Sequence, residues 1–505
     1  MHFLSSYQKF FPELTREAFQ LSELRNMHVC RLILIKICAD AYFYELLTFD
    51  RRNDKLVLEV RGVLNRKLFS FLSSWKQTKG EKCLIIRGAR QVGKTFAVRQ
   101  FGFSEYESLV ELNFIEQPEL ITIFDGNLDS DSIRTNIRLY LPEAQFVDGK
   151  TLLFLDEIQD CPNAITALKF LAMDHRMDVI ASGSLLGMNY TRTTSYPEGY
   201  VEYYDLHALS FEEFLWASQV DPSLICKLRE CFDHRIPVPL PIHEKMLQYI
   251  RQYLVIGGMP EVVNRWVETQ DYYQVDLAQR RLYQDYLLDI ARYADPNIKI
   301  KAEKCFRSIP MQLLKENHKF QYSTVEKKGT SRKFESSLDW IINANMASMI
   351  KNISRVDYPL EACAIDDNIR VYHTDIGFMI STFDYSLKKT LLEEISFESF
   401  THSGPVISSA KGPIYEALVA DMLIKNNHHD LYFYRNDQGT VEMEFLIQTG
   451  DGIVPIEVKA GRNKSKSLNT LLKKDSVSYG YKLAFQNIGQ TENKITLPVY
   501  MAMFI

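Results

Sequence analysis

The feature that most constrains the fold of this chain is a glycine-rich octapeptide with the spacing G-x-x-x-x-G-K-[ST]. Its members are consecutive: Gly88, Ala89, Arg90, Gln91, Val92, Gly93, Lys94 and Thr95. The two glycines allow a tight turn whose backbone N–H groups point inward, where a Cβ atom would crowd an anion. The spacing is typical of a loop that binds the phosphates of a nucleotide.

The flanking residues agree with that interpretation. The apolar run Cys83 to Ile86 predicts a buried parallel strand before the loop, and Thr95, Phe96 and the residues after them predict a helix. Lys94 supplies a mobile positive charge for the β- and γ-phosphates, and the Thr95 hydroxyl can ligate Mg²⁺. We therefore expect ATP and Mg²⁺ as cofactors, with ATP bound by residues 88–96.

A second strand is predicted to deliver carboxylates to the same place. The apolar run Thr151 to Leu155 is followed directly by Asp156 and Glu157. In this pattern Asp156 enters the Mg²⁺ shell, and Glu157 acts as the general base that polarises the attacking water. Downstream of a P-loop, this is the arrangement of a nucleotide hydrolase.

A third predicted strand, from Asp178 to Ala181, ends in Ser182, Gly183 and Ser184. Because ligands bind at the carboxyl ends of strands in open α/β sheets, Ser184 or Ser182 is a candidate sensor of the γ-phosphate or the water. The alternative is a polar turn that only closes the strand, and the sequence does not decide between the two.

Composition restricts the class of protein. A net charge of −5 over 505 residues gives no global attraction to nucleic acid, so any DNA contact needs a local basic patch. The eight cysteines show no paired C-x-x-C spacing, which favours reduced thiols and a cytoplasmic location. The early apolar stretch is interrupted by charges, so we expect no membrane span.

The length predicts several domains of α/β class. We expect an N-terminal segment without assigned chemistry at 1–62, a P-loop core with a parallel sheet at 63–235, and a helical lid at 236–300. Short helices followed by a β-like turn predict a winged-helix-like segment at 301–385, which either touches DNA or only packs. A separate α/β domain is predicted at 386–505.

The predicted C-terminal domain carries its own charged residues. Glu416 lies on a predicted helix, Glu444 on one strand, and Glu457 and Lys459 on the same face of another strand. Carboxylates and a lysine on neighbouring strands suit binding of Mg²⁺ and cleavage of a phosphodiester. Glu416, Glu444 and Glu457 are therefore candidate metal ligands, with Lys459 as the nuclease-like lysine.

Taken together, these motifs resemble those of bacterial and archaeal AAA+ ATPases of uncharacterised role, whose C-terminal domain of unknown function is similar to the PD-(D/E)xK nuclease fold. The resemblance runs from about Val63 to the C-terminus. Besides the loop and Asp156-Glu157, it rests on further short motifs: Ser210-Phe211-Glu212-Glu213-Phe214, Gly257-Gly258-Met259-Pro260, Asp375-Ile376-Gly377 and Pro455-Ile456-Glu457-Val458-Lys459. It implies an AAA+ core, a helical lid, a winged-helix-like segment and a nuclease-like α/β domain.

Two positions depart from the pattern of that family. Tyr200 follows Gly199 where the family usually has a basic residue, and Glu444 stands where the family usually has an aspartate. The extra methylene of Glu444 alters the reach of the carboxylate, and Mg²⁺ demands a near-ideal octahedron.

Three functions follow as hypotheses. The first is an ATPase that drives conformational change while its tail contacts nucleic acid or a protein partner. The second is a nucleotide-gated oligomeric switch with little turnover, and the third is a metal-dependent nuclease controlled by ATP. By analogy with arginine fingers we expect a homo-oligomer with an arginine supplied by a neighbouring subunit, and Arg192 and Arg265 are the candidates.

Overall fold

The computed structural model describes residues 45–50, 55–60, 64–78, 80, 82–184, 197–315, 318–393, 405–428, 430–459 and 465–505. Most of the predicted N-terminal segment and Arg192 lie outside these ranges. Within that segment, strands β1 (Glu45–Asp50) and β2 (Lys55–Val60) pair in antiparallel fashion.

The P-loop region is built on a five-stranded parallel sheet in the order β4-β5-β6-β3-β7. Its strands are β3 (Cys83–Arg87), β4 (Ser108–Asn113), β5 (Thr151–Asp156), β6 (Asp178–Gly183) and β7 (Val201–Asp205). The side chains of β5 are buried along the whole strand, as expected for a parallel sheet covered on both faces. All carboxyl ends of these strands meet at one edge, where the P-loop follows β3.

Helices cover both faces of this sheet. They are α1 (Lys67–Thr78), α2 (Lys94–Glu105), α3 (Ser130–Tyr140), α4 (Pro162–Ala172) and α5 (Phe211–Ala217). Helix α1 begins at Lys67, inside the predicted P-loop core. Helix α5 begins with a capping box, in which Ser210 and Glu213 bond each other's backbone N–H groups.

A run of longer helices follows the sheet. These are α6 (Pro222–His234), α7 (Leu240–Ile256), α8 (Pro260–Thr269) and α9 (Tyr272–Tyr293). Gly257 and Gly258 lie in the break between α7 and α8, where Gly257 has a φ of 78°. The buried side chains of α7 and α9 join the same apolar core as the inner face of the parallel sheet.

The next segment contains three helices and two antiparallel strands. They are α10 (Lys299–Leu313), α11 (Tyr322–Val325), α12 (Ser331–Asn343), β8 (Ala347–Ile353) and β9 (Ala364–His373). The predicted winged-helix-like segment lies here, but its two strands do not stand alone. They form one end of an eight-stranded mixed sheet.

The rest of that sheet comes from the C-terminal part of the chain. Its elements are α13 (Ile376–Ser381), α14 (Tyr385–Glu393), α15 (Pro405–Lys425), β10 (Tyr432–Arg435), β11 (Glu442–Thr449), β12 (Gly452–Val458), α16 (Lys466–Leu471), β13 (Gly480–Ala484), β14 (Gly489–Thr491) and β15 (Lys494–Pro498). The strand order is β14-β15-β13-β12-β11-β10-β8-β9.

The structure confirms the predicted α/β class, with a parallel sheet around the P-loop and a second α/β unit towards the C-terminus. The parallel pairing of β10 with β8 carries the second sheet across the predicted boundary at 385/386. None of the helices in the described residues combines the length and hydropathy that a bilayer span requires.

Candidate nucleotide site

The P-loop connects β3 to α2, in the order predicted from the sequence. Gly88 has a φ of 151°, and an added Cβ would overlap the carbonyl oxygen of Leu206. Gly93, at the N-terminus of α2, has a φ of 95°, which is favourable for glycine alone. The loop therefore requires both glycines, one for close approach of the backbone and one for its left-handed conformation.

Lys94 is buried inside this loop. Its Nζ donates hydrogen bonds to the carbonyl oxygens of Gly88 at 3.0 Å and Ala89 at 2.8 Å. Burial lowers the pKa of Lys94 to about 8, while the charges of Glu157 and Asp156 act in the opposite direction. The ammonium group is thus held at the loop by acceptors that a phosphate would replace.

Asp156 lies at the end of β5 directly beneath the loop. Its Oδ2 accepts hydrogen bonds from the Thr95 hydroxyl at 2.9 Å and from Asn113 Nδ2 at 3.0 Å, and its Oδ1 accepts one from Ser182. Burial raises the pKa of Asp156, and the bonds from Ser182 and Thr95 oppose that rise. A hydroxyl and a carboxylate in contact below a P-loop are the pair that holds Mg²⁺ in P-loop hydrolases, so these residues fit the ion.

Glu157 follows in the left-handed backbone region, with a φ of 53°. Its Oε2 accepts hydrogen bonds from Gln159 Nε2 at 2.7 Å and from the Ser184 hydroxyl at 3.4 Å. An unusual backbone conformation in a non-glycine residue is frequent at functional sites. Ser184 and Ser182 thus contact the two carboxylates of the site, and the sensor role stays a prediction.

Phe96, the last of the predicted nucleotide-binding residues, lies on the first turn of α2 with half of its surface exposed. The structure places it near the loop but gives it no polar contact there. The residues from Gly88 to Thr95 form the loop itself.

Several neighbours of the loop were not predicted. Arg66 donates to the Val92 carbonyl at 2.9 Å and pairs with Glu213 at 3.0 Å, so a residue before α1 supports the loop from outside. Asn113 was also missed, although a polar residue at the end of a predicted strand was a usable signal. Nothing local to Arg66 predicts its contacts, because its partners lie far along the chain.

The C-terminal carboxylates occupy two adjoining clusters. Lys459 Nζ lies 3.2 Å from Glu444 Oε1 and 3.4 Å from Glu457 Oε1, as the predicted alternation requires. Burial raises the pKa of Glu444 to about 7, and Lys459 opposes that rise.

Glu416, in contrast, is held by groups from the winged-helix-like segment. Its Oε1 accepts bonds from Arg370 at 2.7 Å and from the Tyr372 hydroxyl at 2.8 Å, and its Oε2 lies 2.7 Å from His318 Nδ1. The Arg370 guanidinium, fully buried, also pairs with Glu442.

The three predicted metal ligands are thus divided between two clusters, and their role in binding a metal stays a prediction. Across the described residues, no group of three or more histidine, cysteine or acidic side chains is arranged to hold a metal ion. Arg370 pairs with Glu416, and Lys459 pairs with Oε1 of both Glu444 and Glu457. Oε2 of Glu444 and Oε2 of Glu457 are buried and find no hydrogen-bond partner among the described residues, so two of the three predicted ligands keep an open oxygen.

The fold and the P-loop site define a nucleotide-binding domain of the P-loop ATPase class. More particularly, residues 80–215 match the family model of an AAA domain. Two further models match domains of unknown function, DUF8612 at 247–388 and DUF4143 at 411–500. A comparison with curated protein sequences finds no match.

Solved structures similar to this chain include the following three proteins. A Walker-type ATPase of Pyrococcus abyssi is 12% identical with a TM-score of 0.40, over 67% of this chain and 99% of that one. PCH-2 of C. elegans is 10% identical with a TM-score of 0.25, over 43% and 68%. Cdc6p of Pyrobaculum aerophilum is 12% identical with a TM-score of 0.22, over 65% and 92%. At TM-scores this low, nothing further about this chain rests on them.

Proposed function

We propose that this protein hydrolyses ATP with Mg²⁺ and uses the cycle to change the arrangement of its helical and C-terminal parts. The observation that carries the proposal is the 2.9 Å contact between the Thr95 hydroxyl and Asp156, directly below a P-loop with its lysine in place. Mg²⁺ bound there would neutralise charge on the β- and γ-phosphates.

The remaining roles belong to the chain itself. Lys94 exchanges its two carbonyl acceptors for phosphate oxygens, and the backbone N–H groups of the loop hold the anion. Glu157 accepts the proton of the attacking water, and the hydrogen bonds from Gln159 and Ser184 hold its carboxylate in position. The hydrogen bonds from Ser182 and Asn113 hold the Asp156 carboxylate in position beside Thr95.

The test is steady-state release of phosphate from ATP by the full chain, with Lys94→Ala as the matched variant. We expect Mg²⁺-dependent turnover in the wild type and none in Lys94→Ala. A wild-type chain that binds ATP but never releases phosphate, with or without DNA, would overturn hydrolysis.

The second candidate function is a nucleotide-gated switch with little turnover. It is favoured by one observation, the 2.7 Å hydrogen bond from Gln159 to Glu157 Oε2, which takes up one of the two carboxylate oxygens. Glu157→Gln separates the two functions. The variant prolongs the lifetime of bound ATP if the protein is a hydrolase and leaves it unchanged if the protein is a switch.

For the C-terminal part we propose contact with nucleic acid or a protein partner without cleavage. The charge balance of Glu416 by Arg370 and of Glu444 by Lys459 supports this choice over the nuclease hypothesis. Incubation of the full chain with plasmid DNA and Mg²⁺ or Mn²⁺ tests it. Nicking that disappears in Lys459→Ala would establish the nuclease instead.

We also propose a homo-oligomer formed with ATP. Arg265 of α8 is half exposed and only loosely paired with Glu268 at 3.6 Å, so it is available to a neighbouring subunit. Sedimentation of Glu157→Gln with ATP and Mg²⁺ tests the assembly, and a monomer under those conditions would contradict it.

A further inference from the structure

Arg90, the third residue of the P-loop, is bound by a helix far away in the sequence. Its Nη1 lies 2.7 Å from Asp289 Oδ1 on α9, and its guanidinium carbon lies 4.0 Å from the centroid of the Tyr293 ring. The Tyr286 hydroxyl, also on α9, donates to the Arg90 carbonyl at 2.7 Å. One helix therefore holds both the backbone and the side chain of a single loop residue.

The charge of Arg90 acts on the residues that handle the terminal phosphate. It contributes to lowering the pKa of Lys94, and the charge of Glu157 contributes to raising the pKa of Arg90. The guanidinium is therefore close enough to Lys94 and Glu157 for its charge to act on both.

The guanidinium of Arg90 also has an N–H donor that makes no hydrogen bond within the described part of the chain. Its Nε is buried and finds no acceptor among the described residues. A buried donor without a partner is destabilising, so such groups are rare unless a ligand completes them. Because a guanidinium carries five N–H donors in a fixed fork, Arg90 can keep Asp289 on Nη1 while other donors bind an anion.

We propose that Arg90 binds the terminal phosphate of ATP within the same chain and, through Asp289, transmits its presence to α9. This inference rests on the proposed ATPase function and adds to it a residue that distinguishes ATP from ADP. The positive charge that was expected from a neighbouring subunit is then supplied, at least for binding, from inside the loop.

The physical basis is the difference between the two nucleotides. ADP lacks the phosphate that reaches the Lys94–Glu157 side of the loop, so it leaves Arg90 bound to Asp289 alone. ATP gives the guanidinium a second anion, which weakens its hold on Asp289. The position of α9 relative to the loop thereby depends on which nucleotide is bound.

The experiment compares Arg90→Gln, Arg90→Lys and Asp289→Asn in the full chain. Arg307→Gln is the matched control, because Arg307 forms an exposed pair with Glu303 on α10. Calorimetric titration gives the affinities for ATP and ADP, and phosphate release gives the rate of hydrolysis. Hydrogen exchange measures the protection of the backbone amides of α9 in each nucleotide state.

For Arg90→Gln we expect the preference for ATP over ADP to fall roughly tenfold or more and the rate to fall about 10²-fold or more, by analogy with arginines that contact transferred phosphates. ADP affinity should change little. Arg90→Lys should recover part of the affinity and little of the rate. Asp289→Asn should keep the ATP preference but abolish the difference in exchange of α9 between ATP and ADP.

If Arg90→Gln keeps the wild-type preference for ATP over ADP and the wild-type rate of phosphate release, the inference is overturned while the ATPase proposal remains intact. Absence of ATP binding in the wild type would overturn both. If Arg90→Gln does not fold, Arg90→Lys takes its place, and unchanged rate and exchange in that variant would equally overturn the inference.

Discussion

Asp375 accepts a hydrogen bond from the backbone N–H of Gly258 at 2.7 Å, which ties the break between α7 and α8 to the start of α13. The same carboxylate oxygen lies 2.7 Å from Lys425 Nζ on α15. Lys425 also pairs with Asp421 at 2.8 Å, and Leu209 N donates to the Gly258 carbonyl at 2.7 Å. A single buried network thus joins the end of the P-loop domain, the helical segment and the C-terminal domain.

This network predicts an unusual cost for a small substitution at Gly257. A Cβ there would overlap the Asp375 carboxylate and lie 2.8 Å from the Cα of Gly377. Gly257→Ala should lower the free energy of unfolding by several kcal/mol, because backbone atoms must move to admit the methyl group.

The matched control is Gly149→Ala. Gly149 has a similar positive φ of 71°, but an added Cβ would meet nothing within 4 Å. Gly149→Ala should lower the free energy of unfolding by only about 1–2 kcal/mol, through backbone strain. Equal losses for the two variants in urea denaturation would refute a packing role for Gly257.

The carboxylate of Glu157 gives a prediction about chemistry. Glu157→Gln should reduce the rate of phosphate release by about 10²–10⁴-fold, because the amide cannot accept the proton of the water. Affinity for ATP should remain within a few-fold of the wild type, since the residues that hold the phosphates are unchanged. Equilibrium binding and single-turnover kinetics check the two parts, and a large loss of affinity would show that Glu157 serves binding.

The pKa of Lys94 predicts how ATP binding depends on pH. With a pKa of about 8 in the free protein, the ammonium is present below that pH and is lost above it. ATP affinity should therefore be flat below pH 8 and fall by up to about tenfold per unit above it, since binding must then take up a proton.

Lys94→Arg supplies the comparison, because a guanidinium stays charged throughout this range. Its affinity, whatever its absolute value, should not fall between pH 7.5 and pH 9.5. A parallel fall in both proteins would assign the pH dependence to another group.

Arg370 predicts a dependence of stability on pH. Arg370→Met leaves Glu416 buried without its principal partner, which should cost about 3–5 kcal/mol at pH 7. The Arg370 charge holds the pKa of Glu416 at about 2, below its ordinary value. Because the pKa of Glu416 is lower in the folded than in the unfolded protein, its ionised form stabilises the fold above the ordinary pKa of a glutamate. That stabilisation is lost as the pH falls towards 2.

The difference between wild type and Arg370→Met should accordingly shrink as the pH falls from 5 towards 3. Glu416→Gln is the control, because it leaves Arg370 its bond to Glu442 and should cost less at pH 7. Urea denaturation at pH 5 and at pH 3 measures the free energy of unfolding of the wild type, Arg370→Met and Glu416→Gln. A difference that stays constant with pH would show that Arg370 acts by packing alone.

The parts of the site that could be predicted from the sequence are those encoded over short distances. Strand, loop and helix around Lys94 are consecutive, and the carboxylates of Asp156 and Glu157 directly follow an apolar strand. Alternation along β12 likewise placed Glu457 and Lys459 on one face, where both approach Glu444.

What could not be predicted depends on packing between distant segments. Arg66 meets Glu213, and Arg90 meets Asp289, only because helices from later in the chain return to the loop. The expected metal site is the clearest case. Arg370 reaches Glu416 through the pairing of β8 with β9 and β10, a register that no local pattern specifies, so the pairing of Arg370 with one of the expected metal ligands could not be predicted.

The shared eight-stranded sheet bears on how this chain can be divided. Severing it between α14 and α15 would strip β8 of its parallel neighbour β10 and expose a row of open N–H and C=O groups on each fragment. Unpaired strand edges pair readily with other strands, so the two fragments would either re-associate or aggregate. The predicted winged-helix-like segment is therefore structurally part of the C-terminal sheet and not an independent unit.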